Sequence, residues 1–400
     1  MIWGYSDDIS TIVASTFMKI SGLWMAGNRV ERLYRCITLI YSVSGLLFVA
    51  GVVAIEFYYT MDDLSDCLYN ATNILTVIMS LFKLLVLLAH RKDFLNLVRY
   101  LERKFLHSEY DIYEGMVLDT CKRTCAFFIC TFTCSCHGTL ISYVLNPIVV
   151  NIGKNTSDRV FPLNMRADPL SVTPYFEIVF LLQVLSVYQV GVLYFSFDNY
   201  LCIMNLHVAG QFRILQYRLE NMKGAIKASK HSGNCKDKYY DAFKTCVQQH
   251  QALIAYCDKL EEVFSFYSLG QVFLFSLLIC LDGYMVLVAD AHPTRRLIFV
   301  FHMFASIAQL FMFTYSCDCI MQDSTNVAMA IYSAPWPRFL MNEDGRTLRR
   351  DLKLMMLRSK VPCCLTGYGF FTVSLETYTR VLSTALSYFT LLRGTSTETP

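Results

Sequence analysis

Charge is scarce in this sequence. Asp, Glu, Lys and Arg make up only 17% of its 400 residues, whereas water-soluble domains usually carry about 25%. With 54% hydrophobic residues and a positive mean hydropathy, that shortage argues against a water-soluble chain and for a lipid environment. A cleavable leader is not expected either. "MIWGYSDDIS" has no basic segment ahead of an apolar stretch, so the first apolar run is expected to serve as the insertion signal. The histidines, at His90, His107, His137, His207, His231, His250, His292 and His302, show no metal-ligand spacing. A membrane enzyme needs clustered ligands or an activated nucleophile, so no catalytic residue, metal or cofactor is expected. No polar stretch is long enough to make a soluble domain that could do chemistry, and the lack of an internal repeat weakens a two-fold transporter architecture. The net charge of +3 names no partner and points to no nucleic acid, because a membrane protein's charges are sorted by side.

Long apolar runs are present instead. Residues 36–59 ("CITLIYSVSGLLFVAGVVAIEFYY"), 68–90, 125–150, 175–197, 263–288, 297–317 and 370–392 each approach or exceed the ~20 residues that span hydrocarbon as a helix. The reading is an all-α, polytopic membrane protein with seven transmembrane helices, the fourth running on beyond residue 197. With the amino terminus taken as cytoplasmic, 27 of the 35 Lys and Arg fall inside and 6 outside, Lys83 and Arg380 lying within spans. Basic residues in short loops favour the cytoplasm, so the amino terminus is read as inside and the carboxyl terminus as outside. Residues 91–124, about 206–262 and 320–365 are the long cytoplasmic stretches. "AGQFRILQYRLENM" and "YYDAFKTCVQQHQALIAYCDKLEEVFSF" space apolar residues by three and four, so the spans are expected to continue into the cytosol as helices. "SAPWPRFL" breaks a helix at two prolines and "RRDLKLMMLRSK" resumes one. The chain divides into a cytoplasmic segment 1–35, spans one to six with their extensions over 36–317, a cytoplasmic segment 318–365, a seventh helix 366–393 and an extracellular tail 394–400.

Of the sixteen cysteines, only Cys67 falls clearly outside, so no disulfide framework is expected. The cluster Cys121, Cys125, Cys130, Cys134 and Cys136 reads as small apolar packing residues, with a metal site as the sharper alternative. Cys363 and Cys364 abut the last span and are candidates for palmitoylation. Asn155-Thr156-Ser157 lies in the one sizeable outside loop and is a glycosylation sequon; Asn70-Ala71-Thr72 sits at the mouth of a span, where access is poor.

The last apolar run, "FTVSLETYTRVLSTALSYFTLLR", carries many polar groups. At 100 degrees per residue, Thr372, Glu376, Thr379, Arg380, Ser383, Ser387, Thr390 and Leu391 share about a third of the circumference. Leu375, Tyr378, Val381, Leu382, Ala385, Leu386, Phe389 and Leu392 take the opposite arc. A polar row cannot face lipid. Two readings stay open: a packed helix whose hydroxyls bond its own carbonyls, with Glu376 and Arg380 as a helical pair, or one wall of a water-filled pathway. Lys83, Asp282 and Asp318 are single charges in or near spans, each either functional or in a local pair. His137 and His302 read first as packed or hydrogen-bonded side chains.

The end of the chain, "GYGFFTVSLETYTRVLSTALSYFTLLR", with "STNVAMAIYSAPWPRFL" and "LMMLRSKVPCCLTGYGF" before it, closely resembles insect odorant receptors. The last two hundred residues carry the specific part. The resemblance implies a subunit of a ligand-gated, non-selective cation channel. It would assemble as a heterotetramer with the odorant receptor co-receptor through a cytoplasmic anchor, in the plasma membrane of an olfactory sensory neuron dendrite. The co-receptor has a large insertion between spans four and five; that segment is short here, so the chain resembles the odorant-tuning subunit. Insect gustatory receptors share the fold and stand as the alternative. They carry Thr-Tyr followed five residues later by Gln-Phe, where this chain has Ser387-Tyr388 and Gly394-Thr395. A G-protein-coupled receptor would place the amino terminus outside, against the charge distribution.

The resemblance also implies site residues. The last helix lines the pore through Glu376, Arg380, Ser383, Ser387 and Thr390, with Leu391 as the apolar gate near its outer end; the family's pattern assigns no role to the Glu376–Arg380 pair. Tyr332, Trp336 and the apolar face of "LKLMMLRS" are expected to bury against neighbouring subunits. A volatile odorant or pheromone would bind in the outer membrane half. There, the carboxyl-terminal parts of spans three and five meet the amino-terminal parts of two, four and six. The candidates are Met79 in the second span, His137 and Tyr143 in the third, and Phe176 and Phe180 in the fourth. Tyr284 and Met285 stand in the fifth, His302 and Met303 in the sixth. Aromatics and methionines suit a volatile ligand through adaptable apolar contact.

Overall fold

The computed structural model describes residues 8–24, 26–62, 64–106, 108–154, 159–163, 165, 172–222, 235–287, 293–334 and 343–397. Among them the chain forms α-helices, one π-helical turn and no β-strand. The helices are α1 (Ile9–Ile20), α2 (Arg29–Tyr59), α3 (Leu64–Ala89), α4 (Arg91–Tyr100), α5 (Ile112–Val150), α6 (Tyr175–Glu220), α7 (Cys235–Leu287), α8 (Pro293–Ser333), α9 (Glu343–Ser359) and α10 (Leu375–Thr397). Six of them, α2, α3 and α5 to α8, are long and apolar enough to cross a membrane. Local chemistry sets several starts. Glu31 accepts from the Gly27 amide at 2.6 Å ahead of α2, and Asp111 accepts from the Ile112 amide at 2.7 Å at the head of α5, each meeting an amide that has no intrahelical partner.

Helix α6 is the hub. From Val192 to Phe212 every residue is buried, polar ones included, as a helix without a solvated face must be. It packs most extensively on α8, then on α5 and α2, and also on α3, α1 and α7. Its 46 residues, and the 53 and 41 of α7 and α8, reach about 69, 80 and 62 Å at 1.5 Å per residue. Each is at least about twice the ~30 Å hydrocarbon thickness, so these helices also build the part of the bundle beyond the membrane. There Arg218 grips Glu114 of α5 through Nε and Nη2 at 2.6 and 2.9 Å, and those bonds hold the Glu114 carboxyl below its ordinary range. Arg213 meets Asp323 of α8 at 2.8 Å.

Two boundaries differ from expectation. The segment 1–35 is not simply a cytoplasmic tail, because α1 packs into the bundle with Ala14 and Met18 fully buried. The Ser15 hydroxyl lies 2.8 Å from that of Tyr200, and the Phe17 ring stands edge-on to Phe195 at 4.7 Å. The chain then doubles back at Gly22 (φ 77°), where a Cβ would lie 2.5 Å from the Leu39 nitrogen. Only glycine fits that turn. The last helix, expected over 366–393, begins at Leu375 and continues to Thr397, so the expected tail 394–400 starts within it. Residues 366–373 close a tight hairpin instead, with Thr366 bridged to Thr372 and Tyr368 and Gly369 at φ 52° and 78°. Glu261 of α7 holds that hairpin by accepting from the Thr366 amide at 2.8 Å and from its hydroxyl.

The cysteines pack as apolar side chains. Cys121, Cys125 and Cys136 are buried, and Cys121 fills the space beside Gly210, where a Cβ would meet its sulfur at 2.6 Å. Among the described residues no group of three His, Cys, Asp or Glu could hold a metal ion. Cys363 is also buried, its amide donating to Ser324 at 3.0 Å, while Cys364 is half-buried.

Candidate functional site

Helices α2, α3, α5, α6 and α8 leave a cavity of about 80 Å³ between them, several times the ~10–15 Å³ one buried water needs on the same measure. Apolar residues make most of its wall, among them Val49 and Val53 of α2, Val77 of α3, Leu140 of α5, and Val187 and Val190 of α6. Asn73, Thr76, Thr139, Tyr143, Tyr194 and His302 supply the polar groups. A mostly apolar wall with a few placed polar groups is the usual composition of a small-molecule site. The lining positions repeat at helical spacing: Asn73, Thr76 and Val77 on α3, and Cys136, Thr139, Leu140 and Tyr143 on α5. Gly191 lets α5 and α6 close on each other, since a Cβ there would lie 3.0 Å from both methyls of Leu140.

Hydrogen bonds fix these polar groups. The Thr76 and Thr139 hydroxyls donate back to the carbonyls of Thr72 and Ser135 at 3.0 and 3.2 Å, and the Tyr143 hydroxyl donates to Oδ1 of Asn73. His302 faces Asp282 of α7 through Nδ1, 3.0 and 2.9 Å from the two carboxylate oxygens. Its Nε2 lies 3.5 Å from the Thr76 oxygen.

Beneath the cavity sits a second polar centre. Lys83 of α3 meets Asp198 of α6 at 2.6 Å with almost no exposure of either group. The ammonium also donates to the Tyr194 carbonyl at 2.8 Å and stands 4.3 Å from the Tyr194 ring centre. Asp198 accepts further from Tyr267, Gln271 and Gln309, so both ions are paired and hydrogen-bonded, as buried charges must be. Lys83 and Asp282 thus each stand in a local pair, and Asp318 accepts from Gln322. Asp198 was missed because the fourth apolar run stops one residue before it.

Of the nine residues expected to face a ligand, Tyr143 and His302 line this cavity and the other seven do not. Met79 is fully buried in the core, a turn deeper along α3. The His137 ring packs among Phe17, Tyr188 and Phe195. Phe176 and Phe180 form an aromatic group with Phe161 at the amino-terminal end of α6. Tyr284 and Met285 belong to a separate cluster with Tyr69 and Phe299, and half-buried Met303 sits 100° round α8 from His302. The rotation of each helix about its axis was not legible in the sequence.

The stripe on α10 is uncovered. Glu376, Thr379, Arg380, Ser383, Ser387, Thr390 and Leu391 are all exposed, while Val381 and Ala385 are buried against the bundle and Tyr378 packs edge-on to Phe311 at 5.4 Å. Leu386, placed by the wheel on the inner arc, is 62% exposed, because only a narrow line of α10 touches its own bundle. The hydroxyls bond back to the helix, Thr379 to Glu376, Ser387 to Ser383 and Thr390 to Ser387, at 2.8 to 2.9 Å. Arg380 and Glu376 pair at 2.6 Å while 76% and 71% exposed. Leu391 also borders an open apolar crevice of about 650 Å³ among α2, α3, α7 and α10. At the other end of the molecule Tyr332 is exposed. Trp336 and the sequon Asn155 lie outside the described residues.

The family model described as 7tm Odorant receptor matches residues 63–386. Odorant receptor 13a of Drosophila melanogaster is 22% identical over 412 aligned residues, covering 96% of each chain. Odorant receptor 10 of Aedes albopictus is 27% identical, covering 55% of this chain and 56% of its own. Among solved structures, the insect olfactory receptor OR5 from Machilis hrabei in complex with eugenol superposes with a TM-score of 0.77 at 16% identity, covering 96% of this chain and 97% of that one. At that identity the likeness speaks for the fold.

Proposed function

Because this chain belongs to the 7tm odorant receptor family, a family of receptors and not of enzymes, we propose that it is the odorant-tuning subunit of a ligand-gated, non-selective cation channel completed by the odorant receptor co-receptor. The observation that carries the channel reading is the uncovered stripe. Glu376 and Arg380, 71% and 76% exposed on α10, cannot face hydrocarbon at that exposure. In this reading their face belongs to further subunits around a water-filled axis, with Ser383, Ser387 and Thr390 along the pore and Leu391 as a constriction that gates by dewetting. Four subunits, in a heterotetramer, follow from the family resemblance.

The ligand is a small volatile odorant or pheromone, and its site is the cavity behind Tyr143 and His302. The eugenol complex of the Machilis hrabei receptor supports a small volatile by analogy. In this reading the chain crosses the membrane seven times with the amino terminus inside, as the placement of 27 of its 35 Lys and Arg favours, and it resides in the dendritic plasma membrane of an olfactory sensory neuron. Asn155 is the proposed glycosylation site. Ligand binding opens the channel only insofar as the ligand prefers the open state.

The test is a patch-clamp comparison. Odorant-evoked cation current is expected when the chain is co-expressed with the co-receptor, and none when it is expressed alone. A response that persists without the co-receptor while G-protein signalling is intact would overturn the channel assignment.

A further inference from the structure

We infer that the cavity selects ligands bearing a carbonyl-type hydrogen-bond acceptor, such as a ketone or an ester, and that His302, held by Asp282, reads that atom. The inference rests on taking the cavity as the odorant site. Asp282 has no exposed surface and presents both oxygens to Nδ1 of His302 at 3.0 and 2.9 Å. Two arrangements of this pair carry no net charge. In one, a carboxylate faces an imidazolium, which bears a proton on each ring nitrogen. In the other, a protonated carboxyl donates to Nδ1, so the single ring proton sits on Nε2. Burial strongly disfavours a net charge, and the neighbouring ions Lys83 and Asp198 already neutralise each other at 2.6 Å. Both neutral arrangements put an N–H on Nε2.

That donor is poorly used. Thr76 Oγ1, 3.5 Å away, is too distant for a normal N–H···O bond. Three of the competing hydroxyl donors on the wall are committed. Thr76, Thr139 and Tyr143 give their hydroxyl protons to Thr72, Ser135 and Asn73, while the Tyr194 hydroxyl is buried with no hydrogen-bond partner among the described residues. Asn73, with Oδ1 engaged by Tyr143, keeps amide N–H groups of the same sense. The remaining wall is valine and leucine with Cys136, Gly191 and Ala305. A ligand that fills this space with hydrocarbon leaves the His302 N–H unsatisfied, whereas one with a carbonyl oxygen there completes it. An unsatisfied buried donor is costly, and the corresponding preference is on the order of tenfold or more in potency.

The probes are methyl ketones from butanone to nonan-2-one and the matching acetate esters, each beside the isostere in which C=CH2 replaces C=O. They are applied to the full chain co-expressed with the co-receptor. The carbonyl compound of at least one pair is expected to act at tenfold or lower concentration than its isostere. His302→Phe should bring the pair within about twofold, and His302→Gln, which keeps an N–H, should retain the preference. Equal potency within pairs, silence across the carbonyl panel, or a preference that survives His302→Phe would overturn the inference. If both His302 variants fail to assemble, Asn73→Val, which removes the other amide donor of the wall, should leave the preference intact, and its loss would overturn the assignment to His302. Val190→Phe separates this from the underlying reading. If it weakens every ligand while the carbonyl preference never depended on His302, the cavity stands and the dyad's role falls. If it changes no potency, the cavity itself is not the site.

Discussion

Lys83 and Asp198 look like an expensive arrangement, two full charges in the centre of an apolar bundle, and the surrounding donors explain why it is stable. Removing one partner leaves the other buried and unpaired, which costs about 3–5 kcal/mol. Asp198→Ala is therefore expected to abolish the folded peak in size-exclusion chromatography of detergent-extracted protein. The double replacement of Lys83→Met with Asp198→Asn should recover a large part of it, because a buried pair exchanged for neutral groups of similar size is often tolerated. The Glu376–Arg380 pair predicts the opposite pattern. At 71% and 76% exposure it contributes little to stability, so Glu376→Gln should leave surface expression unchanged. Its effect should appear in single-channel conductance and cation permeability, since the carboxylate borders the proposed pore. Unchanged conduction would move α10 away from the ion path.

At the scale of elements, α7 and α9 are joined by a buried histidine. His250 of α7 lies 3.5 Å from the Ser359 hydroxyl. Burial, with Arg358 adding to it, lowers its pKa from 6.5 to about 4. The unfolded chain therefore takes up this proton more readily than the folded one. The stability that neutral His250 contributes is complete above about pH 6.5 and is lost as the pH falls through 6.5 towards 4. Hydrogen exchange over Glu343–Ser359 is expected to accelerate across that window in wild type and to show a flatter pH dependence in His250→Gln. The helices themselves were largely legible. Their apolar runs exceed a bilayer's thickness, and the three- and four-residue spacing beyond residue 197 signalled the extension of α6. The insertion of α1 was not legible. Its buried face is made of Ser10, Ala14, Ser15 and Met18, too mixed to distinguish a packed helix from a solvated one until Tyr200 and Phe195 are beside it.

The whole molecule leaves two surfaces unsatisfied, one along α10 and one where α8 and α9 end. Met329, Tyr332, Leu354 and Leu357 are between 58% and 68% exposed in the part of the bundle assigned to the cytosol, where water would surround them. Large exposed apolar side chains of this kind mark an interface. Leu354→Asp with Leu357→Asp is expected to reduce co-purification with the co-receptor by an order of magnitude while the chain alone keeps its elution profile. Sidedness is tested separately with a tag before Met1 and another after Pro400. Only the second should be labelled by antibody on intact cells, and labelling of the first would invert the reading of both surfaces.

Some of this architecture follows from composition and order alone. A shortage of charge, apolar runs of bilayer length and the skewed placement of Lys and Arg determine an all-helical membrane chain, because hydrocarbon leaves backbone groups no partners but their own. The polar face of α10 was equally visible, since it depends on one helix and its 100° step. The cavity required the tertiary structure. It depends on how each helix is rotated against four others, and Asn73, Thr76, Thr139 and Val190 are ordinary span residues until that rotation brings them together. Distant partners carry no local signal either. Lys83 and Asp198 stand 115 positions apart, and His302 gains its orienting Asp282 only because α7 and α8 pack side by side.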